Sequence, residues 1–253
     1  MGLLGTPIGC VCRRRDATPH SLPCTGKAVG VDWGVIELAT TTSDAHDLAH
    51  PEHGRRAAAK LARYQRMMAR RRRGRGVSPS SGYCEARRLA ARQYKRVTRQ
   101  RRDTGRKWAK AIVRDFDRVA VEDFRPKFLA KTTMARKAAD AAIGVTTAAL
   151  VEAGRKHDRL VVLVDPKYTT MDCGQCGVRT THRLPVSERT YACNACGTVS
   201  GRDKNSARVM LVRAGFLPAG ADRTSPCLSL SGTGSVSQKS CALPRRRIQS
   251  RQS

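Results

Sequence analysis

The chain has 253 residues, enough for one catalytic-sized domain and a small additional module. Its 49 Lys and Arg stand against 20 Asp and Glu, a formal charge of +29. A surface that one-sided repels itself unless it meets a polyanion, so DNA or RNA is the expected partner. No apolar run approaches the roughly 18 residues of a membrane span. No basic amphipathic stretch carries the bulky apolar residues that anchor in lipid, and Met1 to Cys12 lack the apolar core of a secretory signal. A cytoplasmic, nucleoid-associated protein without a membrane partner is expected.

Residues 1–26 mix Gly, Pro, Cys and an Arg triplet without periodicity, and read as a poorly ordered segment. Ala28 to Asp32 is a short apolar run closing on a carboxylate, and Val35 to Thr42 is rich in β-favouring residues, so a hairpin opens a sheet. From Arg55 to Lys110, 21 Lys or Arg face only Glu85 and Asp103. Leu61, Tyr64 and Met68, then Ala86, Ala90, Tyr94 and Val97, give each half one thin helical apolar stripe, and Gly74 to Gly82 break the pattern. The segment is therefore a basic helical hairpin. A solvated face is the bland reading of a charge run, but like charges at i, i+4 destabilise a helix unless phosphates neutralise them.

Arg118 to Glu122 and Arg159 to Asp165 are further strands ending on acids, and Met134 to His157 is an Ala-rich crossover helix between them. Strand, helix, strand implies parallel pairing in an α/β sheet. Asp203 to Ala214 reads as a short helix, and the Ser, Gly and Arg-rich tail beyond as disordered.

Cys173 and Cys176 are two residues apart, Cys193 and Cys196 repeat the spacing, and the interval between the pairs suits a four-thiolate zinc site. Gly177 and Gly197 directly after each pair allow the tight turn such a site needs. Two disulfides or a redox dithiol are the alternative. With four sulfur ligands the metal has no open position, so its role would be structural. Cys10, Cys12, Cys24, Cys84, Cys227 and Cys241 have no framework spacing and read as incidental thiols.

Asp32 closes the first strand, Glu122 closes another, and Asp203 opens the last helix. Singly, each is a turn or cap residue. Together, in a chain poor in acids, they suit a cluster holding two Mg2+ ions about 4 Å apart for in-line phosphodiester cleavage.

The stretches AVGVDWGV (28–35), VAVEDF (119–124), VDPKYTTMDCGQCG (164–177), LPVSERTYACNACG (184–197) and GRDKNSARVML (201–211) resemble successive RuvC-type and zinc-ribbon motifs of the TnpB/OrfB family of transposon-encoded RNA-guided nucleases. The resemblance covers about residues 27–215. It implies an RNase H-like (RuvC-type) α/β fold, a Mg2+-dependent DNA-cleaving site at Asp32, Glu122 and Asp203, structural Zn2+ on Cys173, Cys176, Cys193 and Cys196, and a guide RNA. The family carries a longer N-terminal recognition part than the 27 residues before the first strand, so an N-terminally shortened chain is expected. It also carries an aromatic where Ala142 to Val145 stand.

The expected organisation is a poorly ordered segment at 1–26, sheet portions at 27–54 and 113–166 around an Arg-rich hairpin at 55–112, a zinc ribbon at 167–200, a final helix at 201–217 and a tail at 218–253. The expected activity is DNA endonuclease in a transposase family. The alternatives are an inactive nucleic-acid-binding zinc-ribbon fragment and a ribosome-associated zinc-ribbon protein, the latter leaving the three acids unexplained.

Overall fold

The computed structural model describes residues 21–124, 134–181, 184–185 and 187–216. The expectations for residues 1–20, for the tail, and for Cys10, Cys12, Cys227 and Cys241 lie outside them. Among the described residues no helix is long and apolar enough to cross a membrane.

Strand β1 (Ala28–Trp33) is the centre of a five-stranded mixed α/β sheet ordered β3-β2-β1-β4-β5. It pairs antiparallel with β2 (Glu37–Thr41), which pairs antiparallel with the short β3 (Leu48–Ala49). On its other side β4 (Arg118–Glu122) and β5 (Leu160–Val164) are parallel. The pleat sorts the side chains. Val29, Val31 and Trp33 of β1, with Val119 and Val121 of β4, face a core closed by Trp108, Ile112 and Val113. Ala28 and Ala120 face the opposite way, toward Met210 and Leu211 of the last helix.

Helices α1 (His53–Arg70) and α2 (Ser81–Asp115) form the basic hairpin, with Ser80 capping α2 by accepting from the Tyr83 amide. Ala86, Ala90 and Val97 are buried as the stripe requires, but Tyr94 is half exposed and its hydroxyl accepts from Gln65. Small residues let the two helices approach, which leaves the bulky ring at the edge. Helix α2 also runs past the expected boundary, and Gly105, Trp108, Ala109, Ile112 and Val113 enter the sheet core. The crossover is broken: α3 (Ala135–Ala141) ends and α4 (Ile143–Lys156) begins at Ala142, whose φ of 53° is left-handed. An Ala-rich sequence favours helix at every position and gives no stop signal there. Residues 21–26 are also packed, contrary to the disorder expected of them. The amides of Thr25 and Gly26 donate to Asp117, and Pro23 O accepts from Arg159, a buried residue ion-paired with Asp117.

Asp140 at the end of α3 is buried and fastens the hairpin to this body. Its carboxylate accepts from the Gly54 and Arg55 amides at the start of α1, at 2.7 and 2.9 Å, and pairs with Arg101 of α2 at 2.9 Å. Burial alone would raise its pKa, but those amides and the guanidinium outweigh burial and hold it below the ordinary Asp value. Asp140→Ala should therefore cost about 3 kcal/mol, the low end for breaking a buried ion pair because Arg101 keeps some solvent. Because the folded pKa is depressed, this contribution is complete above the ordinary Asp range and is lost as pH falls from there through the lower folded pKa. Thermal unfolding of the variant at pH 7 and at pH 3 checks both: the gap from wild type should be wide at the first and narrow at the second.

Candidate functional site

Pleat parity puts the first two acids together. Asp32 lies four residues after Ala28 and Glu122 two after Ala120, so both project on the face that α5 (Arg202–Arg213) covers. Each stands one residue beyond the register pair Val31–Val121, at the ends of neighbouring parallel strands. Glu122 is buried and accepts from the Trp33 amide at 3.2 Å. Helix α5 packs against β1 so closely that a Cβ on Gly30 would lie 1.9 Å from Ala207 O, and this brings Asp203 of its first turn to the same cleft. The cleft, about 700 Å³, is lined by all three carboxylates and by Trp33, Ile36, Tyr168, Arg189 and Arg202 among others.

Asp203 does not cap its helix. Gly201 is the N-cap, without a side-chain cap bond, and the Asp203 carboxylate is held by Arg202 at 3.4 Å and Arg189 at 3.6 Å. Among the described residues no ion pair reaches Asp32 or Glu122. Burial, then repulsion from Glu122 and Asp203, raises the Asp32 pKa well above the usual carboxylate range. Burial pushes Glu122 up to about 7, although the Trp33 amide and Asp32 partly oppose this. A buried pair of uncompensated carboxyls with a third nearby is the oxygen donor set that suits a hard divalent cation. Asp203 lies further out than the other two and is more exposed.

The four cysteines form a second centre, with sulfurs all within 4.8 Å of one another. Cys173 and Cys196 are 3.8 Å apart, Cys176 and Cys193 3.6 Å, and all four are unbonded thiols, so cross-paired disulfides are not formed. The two turns are copies. Gly177 N donates to Cys173 O and Cys173 N to Val178 O, while Gly197 N donates to Cys193 O and Cys193 N to Thr198 O, every one at 2.9 Å. Gly177 and Gly197 have φ of 76° and 72°, the left-handed conformation these turns require. Hydrogen bonds from Thr198 bring Cys196 down to about 6. Four thiols so close fit a soft, tetrahedral cation such as zinc. The short hairpin of β6 (Thr190–Ala192) and β7 (Val199–Gly201) carries the second turn and runs directly into α5, and buried Tyr191 packs between Cys173 and Cys193.

Sequence reasoning missed the residues that hold the acids in place. Lys204 pairs with Asp44 at 2.6 Å and Asp47 at 2.5 Å and donates to Thr41 O, tying α5 to the antiparallel edge. Tyr168, at the cleft mouth, has a left-handed φ of 60° and lies under the Arg179 guanidinium, 4.1 Å from its ring centroid. The partners of Lys204 lie about 160 residues away, and the Tyr168–Arg179 contact crosses the cysteine turn, so no spacing rule signals either.

A family model described as "Probable transposase" matches residues 11–132, and one described as "Cas12f1-like, TNB domain" matches residues 147–210. A Streptomyces pristinaespiralis protein, "Putative RNA-guided DNA endonuclease", is 33% identical over 219 residues, covering 86% of this chain and 52% of that protein. TnpB-like proteins of Acanthamoeba polyphaga mimivirus are 29% identical over 132 residues, 49% of this chain and about a quarter of theirs. The chain thus spans about half the length of the first relative. Among solved structures, a Cas12f1–sgRNA–target DNA complex has a TM-score of 0.50 at 12% identity, over 75% of this chain and 50% of that one. A CRISPR–Cas12f ternary complex scores 0.52 at 13%, over 75% and 39%. These likenesses concern the fold. Two consecutive family matches and a relative 33% identical over 86% of the chain make this chain a member of the TnpB/OrfB family of transposon-encoded proteins.

Proposed function

We propose that the chain is the nuclease part of an RNA-guided DNA endonuclease, that its sheet is RNase H-like (RuvC-type), and that it cleaves phosphodiesters at Asp32, Glu122 and Asp203. The observation that carries this reading is the convergence of these acids, 90 and 81 residues apart in sequence, on one cleft. The three carboxylates would hold Mg2+, which when bound activates a water and stabilises the leaving oxygen. Asp32 and Glu122 contribute paired buried oxygens. Arg189 and Arg202 put positive charge at the cleft edge, where an entering phosphate would meet it. Ile36 and Tyr168, both exposed, offer apolar wall to sugar and base. Cys173, Cys176, Cys193 and Cys196 would hold one structural zinc. The test is incubation of the purified chain, with any co-purifying RNA, with single-stranded DNA and Mg2+; absence of cleavage at every metal concentration would overturn the catalytic reading.

The hairpin supports nucleic acid as partner. Roughly twenty residues of α2 before the sheet core, at 1.5 Å each, extend about 30 Å alongside α1. That length runs along the phosphates of about nine base pairs. The expected affinity for nucleic acid falls steeply with salt, with a log–log slope of at least about −5, because each neutralised phosphate releases counterions. Titrations between low and moderate salt check it, and a flat dependence would count against the hairpin. The competing reading is a nucleic-acid-binding protein without catalysis, for which the formal charge of +29 alone would suffice.

A further inference from the structure

Helix α5 has no cap of its own, yet its first turn carries Asp203. Two neighbouring side chains hold that turn from opposite sides. Lys204 fastens it to the antiparallel edge of the sheet through Asp44, Asp47 and Thr41 O. Asn205, 1% exposed, fastens it to the first cysteine turn. Its Oδ1 accepts from the Gly174 amide at 2.9 Å, and its Nδ2 donates to Asp172 O at 2.8 Å. Asp172 and Gly174 are the two residues bracketing Cys173. The turn also sits directly on the helix: a Cβ on Gly174 would lie 2.6 Å from Arg208 Cβ and 3.1 Å from Asn205 O.

We infer that Asn205 is a positioning residue that makes the placement of Asp203 depend on metal loading of the four-cysteine centre. The inference rests on reading that cluster as a zinc site. A side-chain amide supplies one donor and one acceptor in a single plane, which is what the two backbone groups flanking Cys173 require. When four thiolates share one cation, the Cys173 turn is closed and both Asn205 partners are fixed in space. Without the cation the turn can open, Asn205 loses two partners in a buried setting, and the start of α5 keeps Lys204 and the Arg202 contacts with Pro185 O and Glu188 O but loses its tie to the first cysteine turn. The cluster is then a strut for the carboxylate site as well as the clasp of its own hairpin. Arg213, at the other end of α5, donates to the Asp172 carboxylate at 2.6 Å but touches neither flank of the Cys173 backbone.

Amide hydrogen exchange of the full chain, zinc-loaded and chelator-treated under reducing conditions, tests this without any cleavage readout. In the wild type, zinc removal should speed exchange across Ser206 to Met210 roughly thirtyfold, the loss of two buried hydrogen bonds, while β1 and β4 stay protected. Zinc-loaded Asn205→Ala should already exchange at the faster rate in α5, and zinc removal should then open the ribbon without further change in α5. Arg213→Ala should keep the wild-type response to zinc. If Asn205→Ala loses protection in β1 and β4, Asn205→Asp carries the comparison, since it keeps the acceptor for Gly174 and loses the donor to Asp172; its α5 should exchange at an intermediate rate. Wild-type protection of α5 in the zinc-loaded Asn205 variants, or an undiminished zinc response in them, overturns the inference. A wild-type chain that takes up no zinc overturns the cluster reading itself, whereas zinc uptake with an unresponsive α5 overturns only the joint.

Discussion

Asp32→Ala is expected to abolish Mg2+-dependent cleavage of single-stranded DNA while leaving affinity for the strand level or higher. Asp32 sits at the inner end of the cleft, on the central strand, beside Glu122 and facing Asp203, so both other carboxylates act on it. Removing it takes away the side chain common to the cluster, and a loss on the order of 10³-fold or more, about 4 kcal/mol of barrier, is the scale for losing a principal electrostatic contact in a reacting site. The fold should tolerate the change, because Asp32 bears charges that repel one another and the alanine removes that repulsion. With Mg2+ withheld, affinity should not fall, because the deleted carboxyl offers a phosphate no electrostatic attraction. Cleavage and filter binding on the same preparation separate the outcomes. Cleavage surviving at wild-type rate would sink the nuclease reading and leave the basic binding fragment in its place.

The second large effect is expected at Cys193→Ser. Cys193 is buried, its sulfur lies 3.6 Å from Cys176, and its backbone forms the second of the matched turns. Structural zinc binding supplies on the order of 10 kcal/mol of folding free energy to small four-ligand units, far more than a three-residue β6–β7 pairing provides alone. Zinc content should fall from one per chain toward zero, and the 172–201 region should become sensitive to protease. The hairpin of α1 and α2 makes no hydrogen bond to the ribbon among the described residues, so its helicity should persist, as circular dichroism would register. Full zinc retention in this variant would show that the four sulfurs do not share a metal.

Local pattern made much of this readable. Short β-branched runs ending on Asp32 and Glu122 announced strands, and alternation along them put those acids on a common face with Ala28 and Ala120. Two copies of CxxC followed directly by Gly announced the cysteine turns. Other features depend on contacts that sequence spacing does not encode. Asn205 and Lys204 look like ordinary polar residues of a short helix until residues 31 to 163 positions away meet them. The break at Ala142 is invisible in an alanine-rich stretch, and Tyr94 is displaced from its stripe by how near smaller side chains let α1 come. One signal was present and masked. Gly105, Trp108, Ala109 and Ile112 recur at i, i+3, i+4 and i+7, but the density of Arg around them disguises the helix that closes the main core.

The close fit of α5 against β1, with Ala207 O where a Gly30 side chain would be, has a temporal consequence. During synthesis the strand bearing Asp32 emerges first, and Asp203, on the helix that seats on it, is made 171 residues later. Until then the chain has its positively charged hairpin and no complete set of acids. On the proposed function, a product ending before α5 would hold nucleic acid without the full cluster to cut it, and cutting would arrive with the last of the described helices.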